Sequence, residues 1–372
     1  MGNEINARDI ANKFSNGVVE VKSLSGGNIN ETFLVKCMDG SRFILQRISA
    51  AVFPHPEAIM HNLRALGEHA KRKFGESGGD GWKMPILLPT LDGGDCVTDS
   101  AGECWRALSF IANATAWTQL QDISHAREVG YALGRYQALL NDLPTDALED
   151  TLPGFHVTPG YLRAFDQIAA TAEAKARADS DPDCLAMFRF IESERQRASL
   201  LEDALARGEL KLRPIHGDPK VSNVMIDDTT RRAVAMIDLD TTKPGLIHYD
   251  FGDCVRSACN PAGEEPEDPR AAHIDVEALC VVASGYLKCA NGFLTDADRA
   301  LLYDSVRMIA FELSLRFFAD YLDGSRYFRV SFPRHNLRRA TVQRILCEDI
   351  IAKEGAIRKI IDGIAMAVGR GE

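Results

Sequence analysis

Short apolar-rich stretches open the chain. Val18–Leu24, Thr32–Lys36 and Phe43–Arg47 read as strands, preceded by a short helix over residues 1–17 that Gly17 closes. Pro56–Ala70 sets Ile59, Leu63 and Leu66 on one stripe, the spacing of a helix. A polar, Gly-rich loop over Lys71–Lys83 follows, and Ile86–Leu91, Cys96–Thr98 and Trp105–Phe110 extend the small sheet. From His125 the pattern is mainly helical: Ala126–Leu140, Pro159–Thr171 and Cys184–Arg207, with Pro153-Gly154-Phe155-His156 as a break. Near the middle two apolar runs, Val224-Met225-Ile226 and Val234-Ala235-Met236-Ile237, flank the polar tip Asp227-Asp228-Thr229-Thr230 and predict a hairpin. Asn260–Arg270 is acidic and Pro-rich and reads as a disordered loop. Thr341–Val368 reads as one long helix carrying Val342, Leu346, Ile350, Ile357, Ile361 and Ile364 on one stripe, for packing on its own chain or as a dimer seam.

Ser305–Leu322 is apolar on nearly every side, so a helix there is buried. Yet Glu312, Arg316 and Asp320 follow one another at four-residue spacing and share a face. Buried charges must pair or cost several kcal/mol each. Either the stripe satisfies itself, or Arg316 lines a polar pocket that Glu312 and Asp320 orient. In the second case Asp323-Gly324-Ser325-Arg326-Tyr327-Phe328 brings Tyr327 to the same pocket.

The stretch with the most chemistry is Ile215-His216-Gly217-Asp218-Pro219-Lys220-Val221-Ser222-Asn223, followed after the hairpin by Ile237-Asp238-Leu239-Asp240. Asp218, Lys220 and Asn223 stand at positions 0, +2 and +5 of one loop. Phosphoryl transfer from ATP asks for these groups. A carboxylate (Asp218) accepts the proton of the attacking hydroxyl, and an ammonium (Lys220) meets the transferring group. An amide oxygen and a carboxylate (Asn223, Asp238) hold Mg2+, with Asp240 assisting through water. Further on, Asp250 is placed to brace the loop by accepting its backbone N–H groups, and His248 reads as a packing residue.

Other parts of an ATP site are weaker in the sequence. Gly26, Gly27 and Asn28 sit where a backbone turn covers phosphates, since glycine permits close approach. Phe110 and Ile111 sit where the sheet hands over to the helical half and adenine pairs with backbone groups. The third strand carries Gln46 where a lysine is customary, and an amide cannot neutralise phosphate. Either the loop backbone and Mg2+ supply the charge, or another basic residue reaches in. Glu57 reads as a first-turn acid favoured by the helix dipole, with no ion-pair role assigned.

The net charge of −10 argues against nucleic acid as the main partner. The nine scattered cysteines read as reduced thiols of a cytoplasmic protein. The polar start predicts no signal peptide, and no apolar run spans a membrane. A monomer or homodimer is expected.

The loop resembles that of the aminoglycoside phosphotransferase and choline kinase branch of the kinase-like fold. That resemblance implies an α+β, two-lobed, protein-kinase-like fold: a small antiparallel-sheet nucleotide-binding lobe over residues 1–111 and a mostly helical catalytic and substrate-binding lobe over 112–372. Within the branch, the chain from about Gly26 to Asn336 is similar to N-acetylhexosamine 1-kinases. The similar runs include Gly27-Asn28-Ile29-Asn30, Arg42-Phe43-Ile44-Leu45-Gln46, Phe53-Pro54, Ile237-Asp238-Leu239-Asp240-Thr241, Asp250-Phe251-Gly252-Asp253, Arg316-Phe317-Phe318-Ala319-Asp320-Tyr321-Leu322 and His335-Asn336-Leu337. The resemblance implies ATP and a small polar sugar as substrates, with Asp218, Arg316 and Tyr327 at the sugar. It also implies that glutamine at the position of Gln46 is a shared trait, and it departs at Gly217, where an asparagine is usual. Another hydroxyl acceptor (an aminoglycoside, choline, homoserine or another sugar) remains open, as does a non-catalytic nucleotide or sugar sensor. Choline calls for an aromatic cage, and the sequence shows no such cluster near Arg316.

Overall fold

The structure is a computed structural model and describes residues 2–24, 29–74, 81–179 and 181–369. The chain opens with α1 (Gly2–Ala11), then β1 (Val18–Leu24), β2 (Glu31–Cys37), β3 (Arg42–Arg47) and α2 (Pro56–Phe74). β4 (Leu87–Leu88), β5 (Val97–Thr98) and β6 (Cys104–Ser109) complete an antiparallel sheet in the order β1-β2-β3-β6-β4, with β5 also on β6. Alternation decides its two faces. Phe33, Val35, Phe43, Leu45, Trp105 and Ala107 point outward and are sealed by Ala7, Ile10 and Ala11 of α1. The opposite, cleft-facing side carries Thr32, Ile44, Gln46, Arg106 and Leu108, with Gln46 paired to Thr32 on one side and Arg106 on the other.

The helical region follows: β7 (Ala114–Ala116), α3 (Ile123–Leu140), α4 (Thr158–Ala169), α5 (Ala172–Ala178), α6 (Pro182–Glu194) and α7 (Leu200–Ala206). Then come β8 (Arg213–Ile215), β9 (Val224–Asp227), β10 (Ala233–Met236) and β11 (Lys243–Gly245). The chain ends with α8 (Ile247–Ala258), α9 (Val276–Ala290), α10 (Asp296–Ala300), α11 (Leu302–Leu322), α12 (His335–Ala352) and α13 (Glu354–Gly369). β9 and β10 form the expected hairpin, with β7 on the far side of β9, while β8 pairs with β11. The catalytic loop candidate therefore leaves one small sheet and enters another, both buried.

The crossing of α3 and α9 is set by glycine. A Cβ on Gly130 would lie 1.9 Å from the Val282 carbonyl oxygen, and one on Gly285 would lie 2.1 Å from that of Arg127. Only bare backbones come so close. The approach brings Gln137 of α3 and Tyr286 of α9 together beside Asp250 of α8.

Several expectations need correction. The last helix is two helices, because Lys353 leaves the helical register and its ammonium caps Ile274 O at 3.0 Å while pairing with Asp349. Val342, Leu346, Ile350, Ile357 and Ile361 are all buried within the chain's own core. Cys184–Arg207 breaks after Glu194, whose carboxylate is held by the buried Arg307 through two bonds of 2.6 and 2.7 Å. β7 precedes the first helix of the second region. Lys71–Phe74 belong to α2, while residues 75–80 of the expected loop lie outside the described residues. Asn260–Arg270 is pinned: Glu264 accepts from Arg256 at 2.8 Å, and Glu265 from Arg339. Among the described residues no disulfide joins any of the nine cysteines. Among the described residues no helix is long and apolar enough to cross a membrane.

Candidate active site

The loop between β8 and β9 is built from its backbone outward. Gly217 has φ +85°, and a Cβ there would meet the Thr241 carbonyl oxygen at 2.6 Å, so the position suits glycine. Asp250 accepts the N–H groups of His216 and Gly217, both at 2.8 Å, and the amide of Gln137 at 2.8 Å. Tyr286 in turn donates to Gln137. The buried carboxylate thus fixes the turn just ahead of Asp218, as the sequence suggested. His216 accepts from Asp218 N at Nδ1 and faces Ile237 O at Nε2, so it is the neutral Nε2–H form. Burial also pushes its pKa down.

Three of the chemistry-bearing side chains converge. Lys220 Nζ donates to Asp218 Oδ2 at 2.6 Å, and Asn223 Nδ2 donates to Asp218 O at 2.8 Å and to Oδ2 at 3.3 Å. Burial opposes the charge on Lys220, yet Asp218, with Asp238 and Glu264, holds its pKa above the ordinary lysine value. Ile237 N donates to Asn223 O, which carries the Asp238 strand alongside. Asp238 itself has φ +64°, a conformation that a non-glycine residue holds only when its surroundings impose it.

The donor set fits Mg2+. With its NH2 spent on Asp218, Asn223 has its amide oxygen free, and no hydrogen bond reaches the Asp238 carboxylate among the described residues. Both are hard oxygen donors. No cluster of three or more His, Cys, Asp or Glu suited to a metal occurs among the described residues, and Mg2+ held by two such donors would keep water or phosphate oxygens in the rest of its shell. Water reaches the surface of Asp238, although protein crowds round it. Desolvation, then the charges of Asp240 and Asp218, push its carboxyl up to about 7. Below that value a proton competes with the metal. Mg·ADP affinity, measured by calorimetry, is expected to rise from pH 5.5 to about 7.5 and then level. A flat profile, or one that falls with pH, removes Asp238 from the metal set.

Asp240 has a different setting. Its oxygens accept from Asn30 Nδ2 at 2.7 Å and from Arg106 Nη2, it is 2 % exposed, and its carbonyl takes the Thr151 hydroxyl. With both oxygens committed, it ties the first sheet to the catalytic strand. Gln46, placed as the phosphate-side residue of β3, donates to Thr32 and accepts two bonds from Arg106. Gly26, Gly27 and Asn28 lie outside the described residues. Phe110 stacks under Arg42, with the guanidinium 4.3 Å from the ring, and Ile111 is buried between β6 and β7. On α2, Glu57 faces His55 near the surface. Asn62 anchors that helix, donating to Thr242 O and Glu149 O at 2.9 Å each.

On the α11 stripe Glu312 and Asp320 are buried, and Arg316 is half-buried. Asp320 accepts the backbone N–H groups of Arg326, Tyr327 and Phe328 and the amide of Asn336, which shapes the loop after α11. Arg316 lies 3.6 Å from Glu312, and the rings of Phe155, Tyr161 and Phe328 surround its guanidinium at 5.1, 4.8 and 5.7 Å. An aromatic cluster is therefore present at Arg316, contrary to the sequence reading, but the arginine itself fills it. Tyr327 is 61 % exposed at the rim, edge-on to Phe328 at 4.8 Å.

Sequence reasoning missed His156. Held at φ +66°, it places Nε2 2.8 Å from Gly217 O and Nδ1 3.1 Å from Glu312 Oε1. Glu312 Oε2 also takes the Thr158 hydroxyl. Both imidazole nitrogens face acceptors, which calls for the doubly protonated ring. Burial works against that charge, but Glu312, Asp253 and the Gly217 carbonyl prevail and raise the His156 pKa. A chain Arg316–Glu312–His156–Gly217 thus links the α11 stripe to the residue before Asp218.

A family model described as "Phosphotransferase enzyme family" matches residues 20–278. Among solved structures, an aminoglycoside phosphotransferase from Alicyclobacillus acidocaldarius is similar at a TM-score of 0.64 and 14 % identity, over 95 % of this chain and 96 % of that one. A microcompartment-associated aminopropanol kinase reaches a TM-score of 0.59 at 20 % identity, over 95 % and 97 %. An ethanolamine kinase from Plasmodium vivax reaches 0.54 at 13 % identity, over 92 % and 83 %. At these identities the likeness is one of fold.

Proposed function

The chain belongs to the phosphotransferase enzyme family, and from that premise we propose that it transfers the γ-phosphoryl group of ATP to the anomeric hydroxyl of an N-acetylhexosamine, giving the sugar 1-phosphate. The observation that carries the reaction type is the meeting of Asp218, Lys220 and Asn223 within hydrogen-bond reach of one carboxylate oxygen. The sugar oxygen bonds to the γ-phosphorus, the bond from that phosphorus to ADP breaks, and the hydroxyl proton passes to Asp218. Lys220, 2.6 Å from Asp218 Oδ2, faces the transferring group. Asn223 and Asp238 would hold Mg2+, which would neutralise phosphate charge. Residues 1–111 act as the nucleotide-binding lobe and 112–372 as the catalytic and acceptor-binding lobe.

The acceptor assignment is supported by the motif runs and by the charge around Arg316. A fixed guanidinium fills the aromatic cluster and repels a cationic acceptor. That charge suits a neutral polyol better than choline or an aminoglycoside. ATP consumption across N-acetylglucosamine, N-acetylgalactosamine, other sugars, aminoglycosides, choline and homoserine tests it, with phosphorus–proton coupling in the product NMR locating the phosphate. Turnover confined to an amine acceptor defeats the sugar reading and leaves the kinase reading standing.

Arg316→Ala is expected to raise the acceptor KM by about 10- to 100-fold, the worth of one or two charge-assisted hydrogen bonds. The ATP KM stays unchanged. Parallel losses for both substrates, with a fall in Tm, would assign Arg316 to packing alone.

A further inference from the structure

The third strand offers the nucleotide an amide at Gln46 and no cation. Directly across from it on β6 stands Arg106, on the same cleft-facing side of the sheet and only 1 % exposed. Its Nε and Nη2 donate to Gln46 Oε1 at 3.1 and 2.7 Å, and Nη2 also reaches Asp240. These contacts fix the plane of the guanidinium along one edge. The other edge is unspent: Nη1 is shielded from water and meets no hydrogen-bond partner among the described residues. A buried cationic donor without an acceptor is costly, and an arginine N–H makes a strong charge-assisted hydrogen bond to a phosphate oxygen. Its bond to Asp240 sets the guanidinium beside the strand that carries Asp238 two residues earlier.

We propose that Arg106 is the phosphate-clamping cation of this chain, donating from Nη1 to an α- or β-phosphate oxygen of the nucleotide while Gln46 and Asp240 hold the guanidinium in plane. The customary lysine has in effect moved one strand over, and Gln46 has become its orienting acceptor. The inference rests on the ATP reading above.

Calorimetry with Mg·ADP and with adenosine separates a phosphate clamp from a mere tie between sheet and catalytic strand. For Arg106→Met, ADP affinity is expected to fall by about 10- to 100-fold, the worth of charged hydrogen bonds to one group. Adenosine affinity is unchanged, because the base and ribose do not meet Nη1. Adding Gln46→Lys to that variant restores part of the ADP affinity by returning a cation to the third strand. Equal losses for ADP and adenosine, or none for ADP, overturn the proposal. Should Arg106→Met fail to fold, a crystal structure of the unaltered chain with Mg·ADP decides: Nη1 on a phosphate oxygen supports it, and Nη1 on a protein carbonyl or water overturns it. A chain that binds neither ADP nor adenosine removes the nucleotide reading as well. ADP binding that is indifferent to Arg106 removes this inference alone.

Discussion

Asp218→Asn is expected to lower turnover by about 10²- to 10⁴-fold, the usual contribution of a positioned general base. The substitution keeps the shape of the side chain and its acceptor oxygen. It removes only the capacity to take a proton and the charge that Lys220 faces. Asp250 still pins the turn, because its bonds run to the backbone of His216 and Gly217 and not to Asp218. Folding and ADP binding should therefore persist while kcat collapses. The measurements are kcat at saturating ATP and acceptor, and calorimetric ADP binding. If the variant keeps a large share of its turnover, Asp218 is not the base. If kcat and ADP affinity fall together, it is a scaffold for the loop.

Legibility in the sequence followed chain proximity. Asp218, Lys220 and Asn223 are neighbours in one tight turn, so their spacing alone brings them together, and Asp238 returns on the other arm of a hairpin. Asp250 was legible for a related reason: an acid just after a Pro-Gly turn and inside an apolar helix has few partners but nearby backbone. Arg106 and His156 were not legible. Arg106 is one charged position in a short strand between Trp105 and Ala107, a pattern shared with any solvated strand face. Its partners lie 60 and 134 residues away. His156 sits in a break between helices, and its meaning depends on Glu312, 156 residues on. The α11 stripe shows the middle case. Periodicity showed that Glu312, Arg316 and Asp320 share a face, but not that Asp320 spends itself on the backbone of residues 326–328. Nor did it show that Phe328, with Phe155 and Tyr161, would close on Arg316. The gap at Gln46 was visible as a missing charge, while the strand that fills it was not.

Glu312→Gln is expected to cost about 3–5 kcal/mol of stability, the usual penalty for removing one partner from a buried ion pair. Glu312 is 1 % exposed and serves three groups at once: His156, the Thr158 hydroxyl and Arg316. Its carboxyl is favoured in the ionised form by His156 and Arg316 despite burial, so its pKa lies below the ordinary value of 4.5. The pair's contribution is therefore present above pH 4.5 on the acid side and is lost as pH falls through the lower folded value. His156 sets the alkaline limit. Its folded pKa is raised above 6.5, so the stabilisation it brings is complete below 6.5 and is lost as pH rises through the folded value. The groups facing His156 are Glu312 on α11, Asp253 and the stacked Tyr249 ring on α8, Phe155 beside it and the Gly217 carbonyl. Take Glu312 away and desolvation, the largest influence on His156, is opposed only by Asp253 and one carbonyl. The imidazole should then titrate at a lower pH, measurable as a downfield-to-upfield NMR shift of its Cε1 proton. Because a neutral His156 has one N–H for two acceptors, its hold on Gly217 weakens, and kcat in the variant should fall as pH rises through the new value. An unchanged His156 titration in Glu312→Gln would detach the α11 stripe from the catalytic loop. A stability loss without any change in the pH profile of kcat would confine Glu312 to packing.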